Sequence, residues 1–206
     1  FLYGNQHRLI GAFSKKFEYG TRLATTVSLF AEYAKGGRYS YVYAGDINND
    51  GSVLNDLLYI PTDGEIDLMT FSGDNSSQAS QRSAFKSYIA QDGYLSEKRG
   101  EYAERYGALS PLYSQWDLRI LQDVGISDGN KFQISLDALN IGNLISSSWG
   151  VRQRATTTGL AQPIAVNASG DSPVYTFNQA QTSTFFNDFG LNSRWQAQIG
   201  LRYIFK

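Results

Sequence analysis

From Arg194 to Phe205 the chain alternates: Trp195, Ala197, Ile199, Leu201, Tyr203 and Phe205 are apolar, and Arg194, Gln196, Gln198, Gly200 and Arg202 stand between them. Successive side chains of an extended strand point to opposite faces, so the segment reads as a strand with one apolar and one polar face. In a water-soluble sandwich the apolar face meets a core and the polar face meets water. In a membrane barrel the apolar face meets lipid and the polar face a wet lumen. Alternation alone fits both. The rings at the two ends, Trp195 at one and Tyr203 with Phe205 at the other, favour the barrel, because interfacial girdles place aromatic groups at headgroup level.

Other segments repeat the pattern. Phe132, Ile134, Leu136 and Ala138 alternate with Lys131, Gln133, Ser135 and Asp137, and Trp116, Leu118 and Ile120 alternate with Gln115, Asp117 and Arg119. Ser127-Asp128-Gly129-Asn130 joins these two strands as a tight hairpin turn. An earlier hairpin has Leu9, Gly11, Phe13 and Phe17 on one arm and Leu23, Thr25, Val27, Leu29 and Ala31 on the other, with Tyr19-Gly20-Thr21 between. The remaining connections are long, from about Gly36 to Tyr113 and from about Ile141 to Ser193. Compact soluble domains rarely carry such connections, whereas outer-membrane barrels combine short periplasmic turns with long extracellular loops. The expected fold is all-β: about five antiparallel strands, too few to close, since single-chain barrels begin at about eight.

Composition agrees with this reading where it speaks. No apolar run reaches the roughly 18 residues of a transmembrane helix, and mean hydropathy is −0.33. Barrel strands turn only alternate side chains to lipid and leave that average near the soluble range. A 14% aromatic content and 20 glycines against 4 prolines favour strands over a helical bundle. A net charge of −1 gives no footprint for nucleic acid, and the absence of cysteine removes disulfides and thiolate metal sites. The chain opens at Phe1 without methionine or signal peptide and is expected to be part of a longer protein.

The ending Arg194 to Phe205 resembles the terminal strand of SusC-like and Oar-like TonB-dependent transporters. Three further stretches resemble the Oar-like group: Arg38 to Gly51, Arg99 to Arg105, and Ile134 to Asn143 followed by Trp149-Gly150-Val151. The resemblance implies a barrel of about twenty-two strands enclosing a plug, in the bacterial outer membrane, taking up substrate with energy delivered by the TonB complex. Residues 1–206 would be its C-terminal portion, with 36–113 and 141–193 as extracellular loops. Trp195, Leu201, Tyr203 and Phe205 would form the signal read by the barrel-assembly machinery. Lys206 departs from the family pattern by following the aromatic residue, and Phe205 is expected to serve nonetheless. Implied partners are the rest of the barrel and plug on this or another chain, outer-membrane lipid, and a surface lipoprotein over the loops. The rival class is a soluble or surface-displayed β-domain that binds glycan or protein.

Within the loops, Asp46, Asn48, Asp50, Gly51 and Ser52 fit the opening of a calcium loop, with Asp56 as a closing ligand. Asp56 falls one position early, and Leu57 stands where a bidentate Glu is needed. The metal-free alternative is an Asx-turn cluster. No catalytic site is expected. His7 is the single histidine, no serine is read as part of a Gly-x-Ser-x-Gly elbow, and Glu101 and Glu104 are read as solvated charges. Asn75 and Asn167 match a glycosylation pattern and are read as loop polarity. Ala79, Phe85, Tyr88 and Ile89 recur at helical spacing until Asp92-Gly93, which predicts a helical cap, either a lid, a docking surface, or a loop folded on its own apolar residues. Tyr39, Tyr41 and Tyr43, with Trp149, are assigned to a substrate vestibule, the alternative being an interfacial girdle.

Overall fold

The computed structural model describes residues 7–73, 75–156, 158–170 and 172–205. Lys206 and the Phe1 terminus lie outside the described residues. The chain divides into two compact units. Of the described residues, one comprises those in 37–110 and 154–186, and the other those in 7–36, 111–153 and 187–205.

The second unit is the sheet anticipated from alternation. Strands β1 (Arg8–Tyr19), β2 (Leu23–Lys35), β3 (Leu112–Ser127), β4 (Asn130–Leu139) and β5 (Gln196–Ile204) pair antiparallel, each with its neighbour in the chain. Register is continuous across the sheet: Phe13 faces Leu29, Leu29 faces Leu118, Leu118 faces Ala138, and Ala138 faces Ala197. The β1–β2 turn occupies 20–22, so Tyr19 is the last strand residue rather than part of the turn. In the β3–β4 turn only Gly129, at φ +87°, takes a left-handed backbone, and Asn130 already belongs to β4. A register shift between Gly125 and Ser127 precedes it, with the Gly125 amide donating to the Arg22 carbonyl at 2.7 Å. Among the described residues β1 and β5 each pair with one strand, and no closed barrel forms.

The first unit is where the two long connections differ from extended loops: together they build a core of their own. The strand Arg38–Tyr41 lies between Ala108–Leu109, antiparallel, and Leu160–Ala161, parallel. Val174–Thr176 pairs with Thr70–Phe71 in parallel and with Ala165–Asn167 antiparallel. Helices α1 (Asp63–Leu68), α2 (Gln78–Gln91) and α3 (Gly93–Glu97) complete the unit. α1 begins in a capping box, in which the Thr62 hydroxyl accepts from the Glu65 amide while Glu65 accepts from the Thr62 amide. α2 starts at the N-cap Ser77, and Asp92 both ends it and caps α3 through the Leu95 amide at 2.9 Å. The helical cap packs its apolar residues into the core of this unit. Its buried face carries Phe85, Tyr88 and Ile89, but Ala79 is exposed and Gln81 is buried in its place. Gln81 is accommodated because its amide donates to the Gly73 carbonyl and accepts from the Phe177 amide.

Candidate functional site

Register sorts the sheet into two faces. Leu9, Phe13 and Phe17 of β1, Leu23, Val27 and Leu29 of β2, and Trp116, Leu118, Ile120 and Val124 of β3 share a side with Phe132, Ile134 and Leu136 of β4 and Ile199, Leu201 and Tyr203 of β5. Among the described residues nothing in the sheet unit covers this side: Phe13 is 64%, Ile199 77% and Leu201 72% exposed. Such a contiguous apolar surface far exceeds what isolated surface hydrophobics need to explain. The exceptions are few. Lys15 sits on the edge strand, and the hydroxyl of Tyr19 is bonded to Thr25 and Gln122 near the short turns. Trp195, Leu201, Tyr203 and Phe205, the residues of the expected assembly signal, are all exposed. The Tyr203 ring lies 5.1 Å from that of Phe132 and 5.9 Å from that of Phe205.

The other side carries the cross-strand ion pairs of the sheet, together with apolar Ile10, Phe30, Leu121, Leu139 and Ile204. Arg119 bonds Asp137 at 2.5 Å, Lys131 bonds Asp123 at 2.7 Å with Gln133 on the same carboxylate, and Arg8 bonds Glu32 at 2.7 Å. Ser14 and Ser28 bond each other across β1 and β2. A groove of about 280 Å³ on this side is lined by Arg119, Gln133, Ser135, Gln198 and Arg202. Cross-strand ion pairs of this kind suit a wetted wall, where each charge keeps its partner and remains hydrated.

The stretch from Ile134 to Asn143, continued by Trp149 to Val151, has a structural explanation. Asn140 takes a left-handed backbone at φ +52° and ends β4; its amide donates to Asp117 and its side chain to the Gly150 carbonyl at 3.1 Å. Gly150 sits so close that a Cβ there would lie 1.9 Å from the Asn140 Oδ1. Asn143 donates to the carbonyls of Ser147 and Trp149 and accepts from the Trp195 amide. These bonds fold helix α4 (Ile141–Ile145) and the following turn against the start of β5. Beyond it, the Arg152 guanidinium stacks 4.1 Å over the Tyr113 ring and donates to Gln115.

In the first unit the vestibule assignment is corrected. Tyr39, Tyr41 and Tyr43 are 2%, 0% and 5% exposed, and Ser40 and Val42 between them are buried as well. The strand is covered on both faces, so its rings are core rather than lining. Tyr41 stacks on Tyr94 and donates to the buried Asp92 at 2.7 Å, with the Tyr39 hydroxyl 3.1 Å from its own. Burial pushes the Tyr39, Tyr41 and Tyr43 hydroxyls well above the ordinary tyrosine range. Trp149 belongs to the sheet unit and not to this core.

The Asp46 to Asp56 loop forms an Asx-turn cluster. Asp46 accepts from the amides of Asp50 and Gly51, Asn48 also accepts from the Asp50 amide, and Asp50 accepts from the Ser52 amide at 2.8 Å. Asn55 also donates to Asp50, and these bonds hold its carboxyl below the usual range. Asp56 does not join them. It is buried, and its Oδ2 takes the Ile47 amide. Among the described residues no group of three or more His, Cys, Asp or Glu gathers as a metal site.

Gly125-Ile126-Ser127-Asp128-Gly129 does spell Gly-x-Ser-x-Gly, contrary to the first reading of the serines. It forms the β3–β4 hairpin rather than a strand-to-helix elbow, and Ser127 Oγ accepts from the Asn130 side chain. His7 precedes β1 at the opposite end of the strands, where its carbonyl accepts from the Lys35 amide. Glu101 and Glu104 both bind Lys98 at the surface. The Asn167 side chain accepts from the Ser169 amide.

Searches with protein-family models, curated proteins and solved structures return no match to the chain.

Proposed function

We propose that this chain supplies closing strands of an outer-membrane β-barrel of the TonB-dependent transporter type, with its apolar face against lipid and its ion-paired face toward a wet lumen. One observation carries the reading: a continuous apolar side of five strands, uncovered among the described residues, backed by a side that carries cross-strand ion pairs. From Trp195 to Tyr203 the apolar band runs about 27 Å along the strand at ~3.4 Å per residue. At a tilt of about 40° this spans roughly 21 Å, close to the height of a barrel's lipid-facing belt. The open edges of β1 and β5 would pair with strands of the remaining barrel, on this or another chain. Transport of substrate, the plug, the TonB complex and the reading of Trp195 to Phe205 by assembly machinery belong to the whole protein under this proposal. The long connections, leaving from the strand ends opposite the short turns, would be extracellular and accessible to a surface lipoprotein.

The intact protein should remain monodisperse only with detergent or lipid. A monodisperse, folded preparation in plain buffer would remove the barrel reading and leave its rival, a surface-displayed or soluble β-domain binding glycan or protein. The self-contained core of the first unit is the feature that favours this rival.

A further inference from the structure

We infer that the segment from Ile141 to Gly150, α4 and the turn after it, is an interfacial anchor that sits in the headgroup and carbonyl zone of the outer leaflet. The inference rests on the membrane reading of the sheet and assigns a lipid-contacting role to a segment beyond the strands. No charged residue occurs from Ile141 to Val151. Leu144 is 56%, Ile145 72% and Trp149 58% exposed, although the segment is hydrogen-bonded at both ends and held rigidly. A solvated loop has no reason to hold three large apolar side chains outward on a fixed scaffold without one charge among them.

Position supplies the occupant. Trp149 shares a groove with Leu112, Tyr113, Ser114 and Trp116 of β3, of which Leu112, Ser114 and Trp116 lie on the apolar side, so the indole adjoins that side of the sheet. All three tryptophans of the chain, Trp116, Trp149 and Trp195, lie at this end of the sheet unit: Trp149 shares its groove with Trp116 and is linked to Trp195 through Asn143, which donates to the Trp149 carbonyl and accepts from the Trp195 amide. The segment also has a polar rim: Ser146 and Ser148 share a hydrogen bond, and their hydroxyls are of the kind that meet phosphate and ester oxygens. An apolar edge, an indole and a row of hydroxyls without charge match the amphipathic layer between acyl chains and water.

The test uses the intact protein reconstituted in phosphatidylcholine vesicles whose acyl chains carry bromine either just below the carbonyl or near mid-chain. Trp116→Phe with Trp195→Phe leaves Trp149 as the tryptophan of this chain, tryptophans elsewhere in the protein being replaced likewise. A second protein lacking all three carries Ile199→Trp. Trp149 should lose more emission to shallow than to deep bromine and be shielded from aqueous iodide, while the tryptophan at 199 should respond most to deep bromine. If iodide quenches Trp149 and bromine does not, while the tryptophan at 199 is quenched by lipid, the anchor is wrong and the membrane reading stands. If neither responds to bromine, both fall.

Discussion

Ile199 lies midway between Trp195 and Tyr203, four residues from each. Each half is about 14 Å along the strand, or roughly 10 Å in depth at a tilt of about 40°. That exceeds the reach of an arginine side chain, so in the Ile199→Arg variant the guanidinium would be held in hydrocarbon. Lipid-facing arginine near the bilayer midplane costs about 2–4 kcal/mol, which is roughly 30- to 1,000-fold in the folding constant. The same substitution at a site 77% exposed to water would change stability by no more than ~0.5 kcal/mol. Gln198→Arg, one residue away on the ion-paired side, is the internal control and should be nearly neutral. Guanidinium titration of the intact protein in lipid vesicles, followed by tryptophan emission, reads both. Equal midpoints for parent and the two variants would refute the claim that this side of β5 touches lipid.

Other expectations concern the remaining parts. Phe85→Ala, which removes a ring fully buried and 5.2 Å from Phe177, should cost about 3–5 kcal/mol in thermal unfolding of the loop unit. Gly150→Ala, at φ +64° and against Asn140 Oδ1, should loosen the turn after β4 and speed amide exchange at Trp149; unchanged exchange would contradict the packing. The raised hydroxyls of Tyr39, Tyr41 and Tyr43 keep these groups neutral in the fold. Their contribution is complete below the unfolded value of about 10 and declines above it, by up to about 1.4 kcal/mol per pH unit for each tyrosine. Circular dichroism should therefore show alkaline loss of the loop unit. Asp46→Ala removes the acceptor of two backbone amides and should cost roughly 1–2 kcal/mol in chelator. A cost that appears only when calcium is added would instead make the loop a cation site.

The five strands were legible because alternation is local: Phe132 to Ala138 and Trp195 to Phe205 declare their two faces within a few residues. The loop unit was not. Its strands are two to four residues long, and its pairings, Leu160 with Ser40 and Val174 with Thr70, join residues about a hundred positions apart. Periodicity has no length to act on there. The run Tyr39-Ser40-Tyr41-Val42-Tyr43 looks half-exposed by alternation, and only the segments packed on both sides reveal it as interior. The signal that could have been used was the length of the connection itself, since so many aromatic residues in one loop need a core. The Asn140 and Gly150 pair was visible as a motif, but its function as a locked turn requires the left-handed backbone at Asn140, which no spacing reports.

The first excursion leaves the sheet at Gly36 and returns at Pro111, and those two residues are bonded amide to carbonyl at 3.0 Å, as are Ser110 and Gly37 just beyond. Bringing β2 and β3 together across a slack tether of about 75 residues would carry about 3 kcal/mol more closure entropy than a two-residue turn. Once the first unit has folded, which takes both long connections, Gly36 and Pro111 are held side by side, and the second and third strands can meet as the arms of a short hairpin do. Early ordering of that unit would thus speed the zipping of these two strands, and a destabilised one would slow it.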